Sequence, residues 1–453
     1  MKSPASLFVL LATIGGLILV VLIPPLGGSN ETFNFQRAFS VASGDVLIKT
    51  YYVPRGVAEI IDTARVNIPF GVHPPYSYTR EEFQALADIP LDAQNPVEME
   101  PNGIAVLHPL SYLPQVPVLF LGETFGLRPI VLFYLARFAG LLAGIALTYF
   151  AIKAIPIHKH ALAAIALLPI VVYSRSQLDA DQFTNGLAFL FLAWVMREIV
   201  AGGPITRRAL AGLIVTGFIL AQCKSAYLLL PLFALAIPAE RFRSTGHKWA
   251  WSALIAAPGL VASFAWMLSL KHGYFAGIHY KTWSGSVYPD GQMDFILSDP
   301  LGYAAVVWRT LFTTPFLPVT AFELIGISAP WLIFPSAIFS VFFVGIAAVF
   351  ICEPVPARGR LQSSSTRSIA TLLFLSSAGI ILTLLYLQWT RLGGPVIEGF
   401  QGRYLIPTLP LLLLLLPSGG RTSLGLSTRG WVILVGTASI VSTSLTVWTN
   451  YWS

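Results

Sequence analysis

Leu7-Phe8-Val9-Leu10-Leu11-Ala12-Thr13-Ile14-Gly15-Gly16-Leu17-Ile18-Leu19-Val20-Val21-Leu22-Ile23 carries no charge and is closed by Pro24-Pro25. As a helix rising about 1.5 Å per residue, such a run matches most of a bilayer core about 30 Å thick. Only Lys2 carries charge ahead of it and no small-x-small cleavage site follows, so it is expected to stay as an anchored span, not a signal peptide. Similar runs recur along the chain. About eleven spans are expected, near 5–24, 128–151, 160–174, 182–199, 208–222, 225–239, 249–270, 329–352, 368–388, 403–417 and 431–449. Spans of this kind are helical, because in lipid each segment must satisfy its own backbone polar groups. The expected fold is therefore all-α, a single polytopic helical membrane domain over residues 1–453.

Composition agrees. Hydrophobic residues make up 55% of the chain and charged residues 11%, with a mean hydropathy of +0.72. The net charge of +7 does not suggest nucleic acid, since no basic run interleaves with aromatics. Its meaning lies in where the charges fall. With the amino terminus in the cytoplasm, the short inner loops hold half of the 28 basic residues, among them Lys153, Lys159, Arg197, Arg207, Arg208, Arg241, Arg243 and Lys248. Of the acidic residues, only Glu198, Glu240 and Glu353 fall on that side. Positive charge in short loops orients such proteins, so the larger loops are expected outside. Cys223 and Cys352 are expected at opposite faces, which leaves neither a disulfide framework nor a metal pair.

Two large loops, residues 25–127 and 271–328, and a shorter one, Trp389 to Gln401, are expected to own the outer surface. A structureless loop as long as the first would be unusual. Helical spacing over 31–43 (Phe35, Ala38, Phe39, Ala42) and over 54–65 (Val57, Ile60, Ile61) predicts short helices docked on the membrane domain. Two apolar stretches, Leu107–Phe125 and Tyr303–Phe322, carry internal prolines and break the alternation of loops. Both are expected to lie on, or dip into, the outer face.

Candidate functional groups cluster at that face. Glu31 and Arg37, in Asn30-Glu31-Thr32-Phe33-Asn34-Phe35-Gln36-Arg37-Ala38, follow the first span directly. A carboxylate and a guanidinium at the wet end of a membrane helix suit a lipid-linked substrate with a phosphate head, although they could equally form a polar collar. Asp179 and Asp181 lie in a short outer turn, where acids also serve as helix caps. Lys224 sits between two apolar runs and Arg137 inside the second span. Ionisable groups near lipid mark functional sites by default, yet for Arg137 an internal salt bridge is an equal expectation. Arg403 opens the tenth span beside Gly402, whose missing side chain allows close approach, and its planar fork suits phosphate. Lys271, His272, Lys281 and Trp283 could line an acceptor site, whereas Asp290 reads as a solvated loop residue. His73-Pro74-Pro75 offers no metal-ligand spacing with another histidine.

The chain resembles a bacterial family of multi-spanning membrane proteins related to the integral-membrane glycosyltransferases of the GT-C class. That family has an Asp-Glu-Pro-x-His-x-x-Arg-Ala motif after its first span. Here Glu31, Arg37 and Ala38 match, while Asn30 replaces the Asp and Asn34 the His. The likeness continues through Val53-Pro54-Arg55-Gly56 and His108-Pro109-Leu110-Ser111-Tyr112-Leu113-Pro114-Gln115. It also takes in Arg137, Asp181, Lys224, Tyr227 and Gln401-Gly402-Arg403-Tyr404 with Pro407.

The resemblance implies a GT-C-like fold and transfer of a sugar from a polyprenyl-phosphate donor to a cell-envelope glycan or lipid, at the outer face of the bacterial cytoplasmic membrane. Such a reaction needs a carboxylate to take the acceptor proton, or to hold a divalent cation, and cations for the leaving phosphate. Glu31 is the expected base, with Asp181 as the second catalytic carboxylate. Arg37, Arg137, Lys224 and Arg403 are the expected phosphate or substrate contacts, with His108, Tyr112, Tyr227, Gln401 and Tyr404. Glu31, Asp179 and Asp181 are the candidate cation ligands. Two other classes stay open, a flippase of lipid-linked sugars and a non-catalytic scaffold of an envelope-assembly complex. No inverted repeat of the kind transporters carry is visible.

Overall fold

The computed structural model describes residues 3–47, 50–67, 77–100, 103–273, 280–282, 285–326, 336–354, 359–416 and 425–452. It is mostly helical, about 75%. The opening apolar run forms α1 (Pro4–Leu22), capped by Ser3, whose side chain accepts from the Ser6 N–H. After Pro24-Pro25 the chain turns through Asn30, in the left-handed region at φ 56°, into α2 (Glu31–Ala42). Strand β1 (Tyr51–Pro54) leads into α3 (Arg55–Asn67). Then come α4 (Arg80–Asp88), started by a reciprocal Thr79–Glu82 cap, and β2 (Pro96–Met99), which pairs antiparallel with β1. The expected short helices are thus present, and Phe35, Phe39, Val57, Ile60 and Ile61 are buried as their spacing required. Their core is shared with Leu132, Phe133 and Ala136, so these short helices form a layer packed on the bundle.

The proline-bearing stretch after residue 107 is not a span. It forms a 3-10 turn, Pro109–Tyr112, and the short α5 (Gln115–Thr124), ahead of the long α6 (Pro129–Ala154). The span expected at 160–174 is two pieces, α7 (Lys159–Ile165) and α8 (Pro169–Ser176). Pro169 has no N–H to donate and forces Leu168 out of the helical region, to ψ 147°. Next, α9 (Asp181–Val200) runs through the centre of the bundle against α6, and α10 (Arg207–Cys223) lies beside it. The segment expected as a span at 225–239 is instead a chain of 3-10 turns broken at Pro231 and Pro238.

Beyond it come α11 (Thr245–Gly273), the ribbon of β3 (Tyr280–Thr282) with β4 (Gly285–Val287), and α12 (Pro289–Ser298). The apolar 303–322 stretch divides at Pro315 into α13 (Pro300–Thr313) and α14 (Phe316–Ile325). After α15 (Ser336–Cys352) and α16 (Ser364–Gln388), the span expected at 403–417 is a 3-10 turn, Gly402–Thr408, then α17 (Leu409–Leu412). Pro407 and Pro410 remove the donors a continuous helix would need. The chain closes with α18 (Thr428–Tyr451).

Among the described residues six helices are long and apolar enough to cross a membrane, namely α1, α6, α9, α11, α16 and α18. The expected count of eleven is not confirmed: α10 stops at 17 residues, three segments are broken, and residues 329–335 of the span expected at 329–352 lie outside the described residues. The two small ribbons are a further departure from an all-helical chain. Cys223 and Cys352 are both free.

Candidate functional site

The end of the bundle at which α1 finishes and α9 begins gathers most of the polar side chains singled out in the sequence. Glu31 lies there, on the first turn of α2, and is fully buried with Arg137 of α6. Arg137 Nε and Nη2 donate to Glu31 Oε1 and Oε2 at 2.6 and 2.5 Å. The remaining guanidinium donors go to the carbonyls of Val20, Ile23 and Pro24, at the open end of α1. Glu31 also accepts from the Leu178 N–H at 2.6 Å and the Gly28 N–H at 2.9 Å. A carboxylate has about four acceptor sites, and all are taken. This pair is an internal latch, the alternative weighed for Arg137. It leaves Glu31 closed to an acceptor and apart from the other two expected cation ligands. Among the described residues no group of three or more His, Cys, Asp or Glu could hold a metal ion.

A second cluster lies next to Leu178. Four buried or half-buried groups converge from three remote segments: Asp179 and Asp181 at the start of α9, Lys224 where α10 ends, and Arg403 in the late 3-10 turn. Lys224 Nζ is bonded to Asp181 Oδ1, and Arg403 Nη1 lies 3.5 Å from Asp179 Oδ2. Asp179 Oδ1 also accepts the Asp181 N–H at 3.0 Å, which holds the two carboxylates side by side. Burial and the neighbouring Asp181 charge push the Asp179 carboxyl up to about 6. Gln401 Oε1 accepts from Arg403 Nε at 2.7 Å, and the Tyr227 hydroxyl donates to the Tyr404 carbonyl at 2.8 Å, tying the 3-10 turns together. The Tyr404 ring lies under both cations, 6.0 Å from Lys224 Nζ and 5.6 Å from Arg403 Cζ.

Gly402 does what its position suggested. A Cβ there would meet the Leu324 nitrogen and the Thr320 oxygen of α14 at 2.6 Å, and its own N–H donates to Glu323.

Beside the cluster opens a cavity of about 510 Å³. Its walls are mostly apolar, from α11 (Phe264, Trp266, Leu270) and α16 (Ile381, Leu384, Leu385), and its lining reaches Lys224, Tyr227 and Tyr404. His108 lines it too, with Nδ1 accepting the Leu110 N–H at 3.2 Å and the ring edge-on to Trp266. Tyr112 is buried and donates to Asn34 Oδ1 at 2.6 Å, so Asn34 holds the tyrosine from the position where the resembled motif carries histidine. Arg37 is buried and turned toward main chain, donating to the carbonyls of Asp45, Val46 and Leu107. Thus Arg37 backs the cavity wall at Leu107 and does not line the cavity.

The structure therefore brings Asp179, Asp181, Lys224, Tyr227, Gln401, Arg403 and Tyr404 together, with His108 at the adjoining cavity. Glu31 and Arg137 form a separate sealed pair. Asp290, read as solvated, lines the cavity from α12, and Trp266 and Gln388 join it without any signal in the sequence. His73, the side chains of Lys271, His272 and Lys281, and Trp283 lie outside the described residues.

Apolar helices of membrane-crossing length around buried ion pairs define a polytopic helical membrane protein. The family described as Predicted membrane protein (DUF2142) matches residues 13–412, and the chain belongs to it. No curated protein matches the chain, and neither does any solved structure.

Proposed function

We propose that this protein is a GT-C-like membrane glycosyltransferase. It would move a sugar from a polyprenyl-phosphate donor to a cell-envelope glycan or lipid at the outer face of the bacterial cytoplasmic membrane. The observation that carries this reading is the apolar cavity whose lining reaches Lys224 and Tyr404, with Asp179, Asp181 and Arg403 directly behind. An isoprenoid phosphate needs that pairing of apolar wall and cationic end. The outward orientation is supported by chain direction. Helices α1, α6, α9 and α10 all meet the cluster at one end, and Lys153, Lys159, Arg197, Arg207 and Arg208 fall at the other.

In this reading the acceptor oxygen attacks the anomeric carbon and gives its proton to Asp179. The bond from that carbon to the phosphate oxygen breaks, and the electron pair leaves on the phosphate, held by Lys224 and Arg403. Asp181 keeps Lys224 placed. The role of base passes from Glu31 to Asp179, because Asp179 has the less complete set of partners and the raised affinity for a proton. Glu31 becomes a positioning residue through Leu178, the neighbour of Asp179.

Purified protein in nanodiscs, given a polyprenyl-phosphate hexose and an envelope lipid extract as acceptor, should release bare polyprenyl phosphate. Asp179→Asn should slow release by about 100-fold or more, the usual contribution of a general base. No release from any donor, or donor crossing the bilayer intact, would sink the transferase reading; the latter outcome would favour a flippase.

A further inference from the structure

His108 is held in one tautomer. Its Nδ1 accepts the Leu110 N–H, so a neutral ring carries its proton on Nε2. No described residue bonds that Nε2, while His108 is among the residues that line the 510 Å³ cavity. Trp266 fixes the ring plane from the side, 4.9 Å between centroids, and is itself pinned by its Nε1–H donating to the Val106 carbonyl at 2.9 Å. A held donor with no partner among the described residues therefore shares a cavity with the cation Lys224.

The geometry points to His108 as the residue that reads the sugar of the donor, its Nε2–H donating to a hydroxyl or ring oxygen while Lys224 takes the phosphate. This rests on the transferase reading and adds a division of labour within the cavity. Burial and the nearby Arg37 guanidinium push the His108 imidazole down to about 4. A neutral donor suits an uncharged oxygen, and a phosphate would be drawn to the cation Lys224 of the same cavity instead. Trp266, beside it in the wall, offers the apolar body against which a sugar ring packs.

The test compares the dissociation constants of bare polyprenyl phosphate and of a polyprenyl-phosphate hexose, for the full-length protein in nanodiscs. His108→Phe keeps a ring against Trp266 and removes the donor. His108→Asn keeps a cap for the Leu110 N–H and is too short to reach the ligand. Both variants should bind the bare lipid as the wild type does and lose about tenfold on the sugar-bearing one, the effect of one hydrogen bond. An unchanged ratio of the two constants in both variants, whether neither lipid or both are weakened, overturns this inference alone. Wild-type protein that binds neither lipid, or only the bare one, overturns the transferase reading and this inference with it.

Discussion

Replacing Glu31 by Gln removes one charge from a pair that has no solvent to fall back on. The geometry sets the size of the effect. Four hydrogen bonds converge on the carboxylate: two from Arg137, one from the Leu178 N–H and one from the Gly28 N–H. The amide keeps one acceptor oxygen and turns an N–H₂ toward groups that are themselves donors. Arg137 then stays charged and buried with no opposite charge beside it. Breaking one side of such a pair costs about 3–5 kcal/mol, a large part of the roughly 5–15 kcal/mol that holds a domain folded. At about 2 °C per kcal/mol for a chain of this size, the apparent melting temperature should fall by roughly 6–10 °C. Scanning fluorimetry in one detergent would read it. The double variant Glu31→Gln with Arg137→Met should recover at least part of the loss, since both charges leave together. A Glu31→Gln protein with wild-type stability and no turnover would refute the latch and return Glu31 to the role of base.

Two further outcomes follow from the same structure. Gly402→Ala forces a methyl group against the α14 main chain, which cannot yield as a side chain would. It should cost about 1–3 kcal/mol of stability and, by shifting Arg403, weaken binding of bare polyprenyl phosphate; unchanged affinity in a binding assay would separate Arg403 from the phosphate. At the opposite end of the bundle Glu353 accepts the His160 and Ala161 N–H groups at the start of α7. Burial alone would raise its carboxyl, but the facing His158 and His160 rings and these N–H groups outweigh it and hold it at about 2. A carboxyl held below its ordinary value of 4.5 stabilises the fold above that value and loses the contribution as pH falls toward about 2. The gap in melting temperature between wild type and Glu353→Gln should therefore be widest above pH 5 and close on acidification. A gap constant with pH would show that Glu353 acts by shape alone.

Much of this was legible in the chain. The spans that contain no internal proline, such as 182–199 and 368–388, became unbroken helices, and the spacing of Phe35, Ala38, Phe39 and Ala42 located α2. Hydropathy failed at 160–174, 225–239 and 403–417, where prolines fall in the apolar run, because it counts greasiness and not backbone donors; α11 carries Pro258 and stays continuous. For the candidate site, Lys224 stood out as a charge between apolar runs, Asp181 as an acid in a short outer turn and Arg403 as a guanidinium opening a span beside Gly402. Their partners were not. A carboxylate at position 31 looks the same in a sequence whether an arginine 106 residues away seals it or solvent reaches it.

Composition and the period of the apolar residues were enough to make this a helical membrane protein, since exposing such surface to water would be untenable and lipid accepts only internally bonded backbone. Which charges meet depends on packing between segments far apart in the chain, as with Asp179 and Arg403, separated by 224 residues. Only the tertiary structure could decide that Glu31 locks onto Arg137 while Asp179, Asp181, Lys224 and Arg403 share one end of the bundle beside the cavity.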